Sequence, residues 1–321
     1  MHVVVTGAAG FIGSHTVQRL ASAGHRVTGI DAFDGYLYAA DHKRANAGLL
    51  EGVPGFRLVE GDICDATAVE SVITSDVDVV CHLAALAGVR PSIADPQRYL
   101  RTNILGTGVI TTRMRDLGRS RLVFASSSSV YGARLDGGDG FREDDACVRP
   151  ASPYAATKRM NELQLSAERD IVGLGVYALR FFTVFGPRQR PDMAIARFLR
   201  AAVRGETITM FGDGSSRRDY TFIDDIVSGV VAAVERVSPG AYEIINLGGT
   251  HTTTLHDLIE IIQRVTSTQL RIERKGDQPG DVPLTFANID KARRLLDFAP
   301  TTAVEEGIAR QFAALTPRPI P

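Results

Sequence analysis

Tryptophan is absent from this chain, aromatic residues make up only 7% of it, and cysteines number three. The missing tryptophan decides nothing. The cysteines decide more: Cys64, Cys81 and Cys147 are odd in number and scattered, which argues against a disulfide framework and for a reducing, cytoplasmic compartment. Charge of one sign is lacking too. Thirty-six Lys and Arg against 37 Asp and Glu leave a net charge of −1 and a pI of about 6.7, so no electrostatic footprint points to nucleic acid or to an anionic membrane. No apolar run approaches the ~20 residues of a membrane span, and Met1-His2 leads straight into a β-like run without the basic start of a signal peptide. Internal repeats and low-complexity segments are also missing, and a frayed tail is expected over Leu315–Pro321, where three prolines fall. What remains is an ordinary soluble composition, 44% hydrophobic and 23% charged over 321 residues, enough for one large domain or two intertwined ones.

Short apolar runs punctuate the first half. Val3–Thr6, Arg26–Asp31, Phe56–Val59, Val77–Cys81, Arg121–Ala125 and Val176–Arg180 read as strands. Helical patterns separate most of them, from Ile12 to a stop at Gly24 and then over about 41–51, 65–75, 97–117 and 153–170. Short buried strands alternating with helices predict βαβ units and a parallel, doubly wound α/β sheet. After residue 185 the rhythm changes. Helices are expected over Ala194–Val203, Asp224–Val234 and about 254–265, 290–296 and 303–314, with strands over Thr207–Phe211 and Arg218–Ile223. The apolar Tyr242–Leu247 run is placed to return to the main sheet. The expected division is a dinucleotide-binding part, 1–181 plus about 223–248, and a smaller mixed α/β part, about 182–222 plus 249–321.

Between the first strand and the first helix lies Gly7-Ala8-Ala9-Gly10-Phe11-Ile12-Gly13. Glycines there permit a tight turn and let a pyrophosphate approach the helix N-terminus, where unpaired N–H groups and the dipole favour anions. Asp31, closing the second strand, suits a ribose 2′-hydroxyl and repels a 2′-phosphate. No basic residue follows it closely, so NAD is expected over NADP. Asp62-Ile63 after the third strand suits the adenine, and Leu83-Ala84-Ala85 after the fourth offers small residues where a cofactor passes close to backbone. All these pieces fall at the carboxyl ends of strands, where open parallel sheets bind ligands.

The proton-transfer candidates come next. Ser126-Ser127-Ser128-Ser129-Val130-Tyr131 follows the fifth strand, and a hydroxyl there can share a proton with a sugar hydroxyl. Ser152 suits an N-cap and Pro153 the first helical position, which puts Tyr154 and Lys158 on one face, four residues apart. An ammonium beside a phenol, near the positive end of a helix, eases ionisation from the usual pKa of about 10. Cys81-His82 ends an apolar strand, and the histidines show no ligand spacing, so this pair reads as core and no metal is expected. Glu143-Asp144-Asp145 reads as a solvated acidic loop.

These motifs, in this order, resemble the extended short-chain dehydrogenase/reductase family, in its nucleotide-sugar epimerase branch. The resemblance runs from Thr6–Ser14 through Leu83–Ala85, Ser126–Gly132, Ser152–Lys158 and Phe222–Asp225 to Gln278–Val282. It implies Tyr154 as acid/base, Ser127 as its hydroxyl partner, Lys158 on the nicotinamide ribose, and Asn103 steadying the active-site backbone. Within the branch, Leu86–Ser92 and Phe182–Ala194 resemble the UDP-glucuronate 4-epimerases. That implies Arg190 and Thr183 on the sugar carboxylate, a sensible pairing for a guanidinium fork. Arg90, Ser128, Met193 and Ala194 are then further substrate contacts. The same resemblance puts Thr209 and Phe211 beside the uracil, and Arg218, Gln278 and Asp281 on the diphosphate and uridine ribose. It also implies a homodimer through the helices at 97–117 and 153–170.

Two departures bear on the reaction. The 4,6-dehydratases carry an Asp-Glu pair where Ser128-Ser129 stand, and the decarboxylases carry a glutamate at the position of Ser129. The expected activity is 4-epimerisation of UDP-glucuronate with NAD. A neutral UDP-hexose 4-epimerase, a UDP-glucuronate decarboxylase and a non-catalytic NAD-binding protein stay open as alternatives.

Overall fold

Residues 1–133, 139–276 and 282–315 are described by a computed structural model. The chain begins β1 (His2–Thr6), α1 (Phe11–Ser22), β2 (Arg26–Asp31), α2 (Ala40–Gly48), β3 (Phe56–Glu60), α3 (Ala66–Val72) and β4 (Val79–His82). It continues with α4 (Val89–Ala94), α5 (Pro96–Tyr99), a π-helical turn (Leu100–Leu105), α6 (Gly106–Asp116), β5 (Arg121–Ser127), a 3-10 turn (Ser128–Tyr131), α7 (Pro153–Val172) and β6 (Gly175–Phe181). Then come β7 (Thr183–Phe185), α8 (Ala194–Arg204), β8 (Thr207–Phe211), β9 (Arg217–Arg218), β10 (Tyr220–Phe222), α9 (Ile223–Arg236) and β11 (Tyr242–Leu247). The last elements are β12 (Thr253–Thr254), α10 (Leu255–Thr266), β13 (Arg271–Lys275), β14 (Leu284–Thr285), α11 (Asp290–Leu296) and α12 (Val304–Leu315).

Seven strands form one sheet in the order β11-β6-β5-β4-β1-β2-β3, every pair parallel. This is the expected doubly wound sheet. The chain adds β2 and β3 on one side of β1, then crosses back to lay β4 on the other. Such a reversal opens a crevice above the carboxyl ends of β1 and β4. The sheet is buried on both faces because side chains alternate along each strand: Val3 and Val5 join one core cluster, Val4 the other. At about 1.5–3 kcal/mol for each aliphatic side chain buried, these two layers supply most of the driving force.

The expected return of 242–247 occurs, β11 pairing with β6 from Tyr242↔Val176 to Leu247↔Phe181. Smaller sheets follow the main one: β7 with β10, β8 with β13, and β9 between β12 and β14. Asp219, between β9 and β10, is buried and accepts from the Gly249 amide (2.6 Å), the Ala287 amide (3.1 Å) and the Thr221 hydroxyl (3.0 Å). It ties three separate segments and splits the strand expected over 218–223.

One expected helix fails locally, and other elements were unforeseen. The helix expected over 97–117 is broken, and α4 precedes it unforeseen. Asp95 caps the Arg98 amide at 3.1 Å and Pro96 takes the first helical position, so a new helix starts there. The π-helical turn then widens the backbone at Asn103. Also missed was β13: Arg-Ile-Glu-Arg-Lys carries no apolar alternation and is exposed throughout, yet it pairs along all of β8. Among the described residues no helix is long and apolar enough to cross a membrane.

Candidate active site

A cavity of about 370 Å³ opens above the carboxyl ends of β1, β4 and β5. Its floor is the glycine loop. Gly7 sits at φ +70, and a Cβ on it would lie 2.9 Å from Ala84 backbone atoms. A Cβ on Gly13 would lie 2.0 Å from the Gly7 carbonyl oxygen, so no side chain is tolerated there. No side chain caps α1 and no acid occupies its first turn, which leaves its amides and dipole to an anion. Asp31 accepts from the Ala9 amide (3.1 Å) and the Phe33 amide (2.9 Å), which fixes its carboxylate at the cavity rim. Each oxygen keeps a second lone pair for a hydroxyl donor. These features fit a dinucleotide: a cradle that a Cβ would fill, a helix N-terminus and a fixed acid. Gly10, Phe11, Ile12, Asp62, Ile63, Leu83, Ala84 and Ala85 line the same cavity.

Behind this wall runs a chain of buried polar groups. The Ala84 amide donates to Thr6 Oγ1 (3.0 Å), which meets His82 Nδ1 at 2.7 Å; His82 Nε2 meets Thr107 Oγ1 at 3.1 Å. Burial first, and then the Lys158 charge, pushes the His82 imidazole down to about 3. Asn103 brackets Leu86, accepting from its amide (2.9 Å) and donating to its carbonyl (3.0 Å). Asn103 is fully buried and does not line the cavity. It works on the wall from behind, holding the Leu86 backbone through both its amide and its carbonyl.

On the opposite side stand Ser127, Tyr154 and Lys158, all lining the cavity. Ser127 ends β5, and its Oγ accepts from the Ser129 amide (3.2 Å) and lies 3.1 Å from Ser129 Oγ. Ser152 caps α7 by accepting from the Ala155 amide at 3.1 Å, with Pro153 at the first position. That cap sets Tyr154 and Lys158 into the cavity wall. Burial raises the Tyr154 phenol, while a hydrogen bond with Ser127 and the charge of Arg190 oppose the rise. The Lys158 ammonium donates to the Ala125 carbonyl (2.7 Å) and sits 4.8 Å above the Phe124 ring. Burial pushes its amine down to about 7, against the pull of Glu162.

Further out, Thr183, Arg190, Met193 and Ser128 line the cavity. Arg190 is not open on all sides: its Nε and Nη2 donate to the two oxygens of Asp192 at 3.1 and 2.6 Å. Arg90, Ala194, Thr209, Phe211, Asn103 and Arg218 do not line it. Arg90 stacks 4.7 Å over Phe211, joining α4 to β8, and Arg218 donates to the Arg217 carbonyl (3.0 Å). Gln278 and Asp281 lie outside the described residues.

Several lining or supporting groups escaped the sequence reading. Tyr38 and Lys43 line the cavity, and Asn46 donates to the Ala9 carbonyl at 3.1 Å. Two tyrosines close behind Asp31, in a chain with only eight, were the available signal for that loop. Tyr99 meets Tyr154 edge-on, centroids 6.2 Å apart. Glu143 corrects the solvated-loop reading: its carboxylate accepts from the Asn246 amide (2.9 Å), inside the packing around Tyr131.

The chain resembles known proteins over nearly its whole length. It is 38% identical over 312 residues to a UDP-glucuronate 4-epimerase of Thermodesulfobacterium geofontis, spanning 96% of this chain and 94% of that one. It is 39% identical over 330 residues to UDP-glucuronate 4-epimerase 4 of Arabidopsis thaliana, with 96% and 74% covered. The crystal structure of UDP-glucuronic acid 4-epimerase from Bacillus cereus, in complex with UDP-glucuronic acid and NAD, superposes with a TM-score of 0.91 at 35% identity, over 98% of this chain and 99% of that one. The sequence profile of the NAD dependent epimerase/dehydratase family matches residues 3–248. With the glycine cradle, the fixed Asp31 and the doubly wound sheet, this match means that the chain belongs to the NAD dependent epimerase/dehydratase family.

Proposed function

We propose that this protein is a UDP-glucuronate 4-epimerase that interconverts UDP-glucuronate and UDP-galacturonate with NAD as resident cofactor. The observation that carries the reading is that one cavity gathers the dinucleotide cradle, the Ser127-Tyr154-Lys158 set and the Thr183-Arg190 edge. The names of the relatives just described support the same substrate. Gly7 and the first-turn amides of α1 would hold the pyrophosphate, Asp31 the adenosine ribose, Asp62 and Ile63 the adenine, and Lys158 the nicotinamide ribose. NAD supplies reversible hydride removal at C4, so that a planar carbon there can be reduced from either face.

The protein's own part is proton handling and positioning. Tyr154 takes the C4 hydroxyl proton and gives it back, and Ser127 shares its hydrogen bond. Arg190, positively charged and aimed among phenols, favours the ionised form of Tyr154 as well as a substrate carboxylate. A charge-assisted hydrogen bond of this kind contributes about 1.5–3 kcal/mol. Serines at 128 and 129 leave no acid there for elimination or decarboxylation. The reading divides the chain at about 181/182, 222/223 and 248/249, supported by the pairing of β11 with β6 and by α9 lying against α1.

Two coarser properties complete the proposal. All three cysteines are unpaired, which supports a cytoplasmic location. Leu100, Leu105, Met160 and Leu163 stand exposed on the π-helical turn and α7, a surface suited to a second copy of the chain. The decisive assay incubates purified protein and NAD with UDP-glucuronate. UDP-galacturonate is expected, Tyr154→Phe should abolish it, and CO2 release or turnover of UDP-glucose alone would replace the reading.

A further inference from the structure

Arg190-Pro191-Asp192-Met193 forms a tight turn closed by the Met193 amide on the Arg190 carbonyl at 3.2 Å. Proline second and aspartate third suit such a turn, and the turn folds Asp192 back onto Arg190. The contact has a defined edge. Asp192 takes Nε–H and one Nη2–H, the side of the guanidinium. A guanidinium has five N–H donors, so both hydrogens of Nη1 and the second of Nη2 remain as an end-on fork. Among the described residues, the only hydrogen bonds of this guanidinium go to Asp192.

The two partners face different ways. Arg190 lines the cavity and is 15% exposed; Asp192 does not line it and is 37% exposed. The charge of Arg190 reaches the phenols of Tyr154, Tyr38 and Tyr99, and its guanidinium lies 5.8 Å from the Tyr38 ring. Asp192 therefore grips the outer edge while the inner edge faces the site.

We propose that Asp192 is a positioning residue that sets uronate specificity: it locks the plane of Arg190 and leaves a single fork for the substrate carboxylate. This rests on the reading of Arg190 as the carboxylate clamp. Locking has two physical effects. It removes the rotamer freedom of a long side chain before substrate arrives, and it balances a half-buried cation when the site holds no carboxylate. A neutral hexose gains nothing from either. The locked plane also bears on a side reaction. In a 4-keto uronate the C5–C6 bond can break, its electron pair passing into the C4 carbonyl as an enolate, with CO2 leaving and a proton then returning to C5. That step needs the C5–C6 bond perpendicular to the carbonyl plane, and a carboxylate held in one orientation is kept from it.

The test compares Asp192→Ala, Asp192→Asn, Asp192→Glu and Arg190→Leu in the full-length, NAD-loaded protein. Kd is measured by titration for UDP-glucuronate and for UDP-glucose, and CO2 is counted per epimerisation. Asp192→Ala should weaken UDP-glucuronate roughly tenfold, the scale of one charged hydrogen bond, and UDP-glucose much less, with more CO2 per turnover. Asp192→Glu should restore part of the preference, and Asp192→Asn should fall between. Equal losses on both ligands, or unchanged preference and CO2, would overturn the role of Asp192. Tighter uronate binding would overturn it too, by making Asp192 a competitor for the fork. If Arg190→Leu weakens both ligands equally, the clamp reading itself fails; if it is selective while the Asp192 variants are not, only the positioning role fails.

Discussion

Lys158 shows how far a residue's surroundings can move it from its sequence-level description. Four residues after Tyr154, it looked like the group that activates the phenol. In the folded chain its ammonium donates to the Ala125 carbonyl, and burial pushes its amine down to about 7. The sign of the resulting pH dependence follows directly. Folded, the amine titrates near 7; unfolded, near its ordinary 10.5. Between those values the unfolded chain binds more protons, so stability of the NAD-free protein rises with pH across that window. Urea midpoints at pH 7 and pH 9 should show the rise in the wild type and a flatter response in Lys158→Met. An identical slope in both proteins would remove this lysine as the cause. Tyr154→Phe is the complementary test of chemistry: it deletes one hydroxyl, so NAD binding should persist while turnover disappears.

At the scale of elements, the joint of α7, β5 and β6 is held by a buried ion pair. Arg180 of β6 donates through Nε and Nη2 to both oxygens of Glu162 on α7, each at 2.9 Å. Ser126 of β5 donates to the same carboxylate at 2.6 Å, and Tyr242 of β11 donates to the Glu162 carbonyl at 2.6 Å. Both charged side chains are almost fully buried. The desolvation of both charges is offset by their pairing. Arg159 also donates to Glu162 at 3.0 Å, so Arg180→Met should leave that carboxylate with only Arg159 and Ser126 and lower unfolding free energy by about 3 kcal/mol. Joint replacement by apolar residues should recover much of the loss, and a double-mutant cycle in denaturant would measure the coupling. The joint also carries Ser127 and Lys158, so its stiffness matters to the site and not to stability alone.

For the whole molecule, the exposed leucines on the π-helical turn and α7 make assembly testable. Leu163→Glu, on an exposed face, should shift a dimer to monomer in light scattering while leaving the monomer folded by circular dichroism. A wild type that is already monomeric would dispose of the dimer. Much of the architecture was legible from the chain: six strands of the parallel sheet, the return of 242–247 and the α1 and α7 starts follow from short-range patterns. The break at 95–106 was not, because Asn103 earns its place through Leu86, Thr157 and the Asn161 contact, all distant in sequence. Nor was β13, whose charged run is a strand only because β8 supplies its partners.

Local chemistry in the sequence accounts for the glycine cradle, the Ser152-Pro153 helix start, the acid at the end of β2 and the alternation that buries the sheet. Each depends on backbone sterics or on neighbours within a few positions. The long-range fold settles other matters: that Lys158 faces a carbonyl in a dry wall, that Asn103 works from behind the cavity, and that Arg90 stacks on Phe211. Protonation, orientation and pairing are properties of the dielectric and of the partners a side chain meets, and those partners are brought together only by packing. The turn at Arg190 belongs to both levels, since Pro191 and Asp192 are written into the sequence while the cavity decides which edge of the guanidinium is left to use.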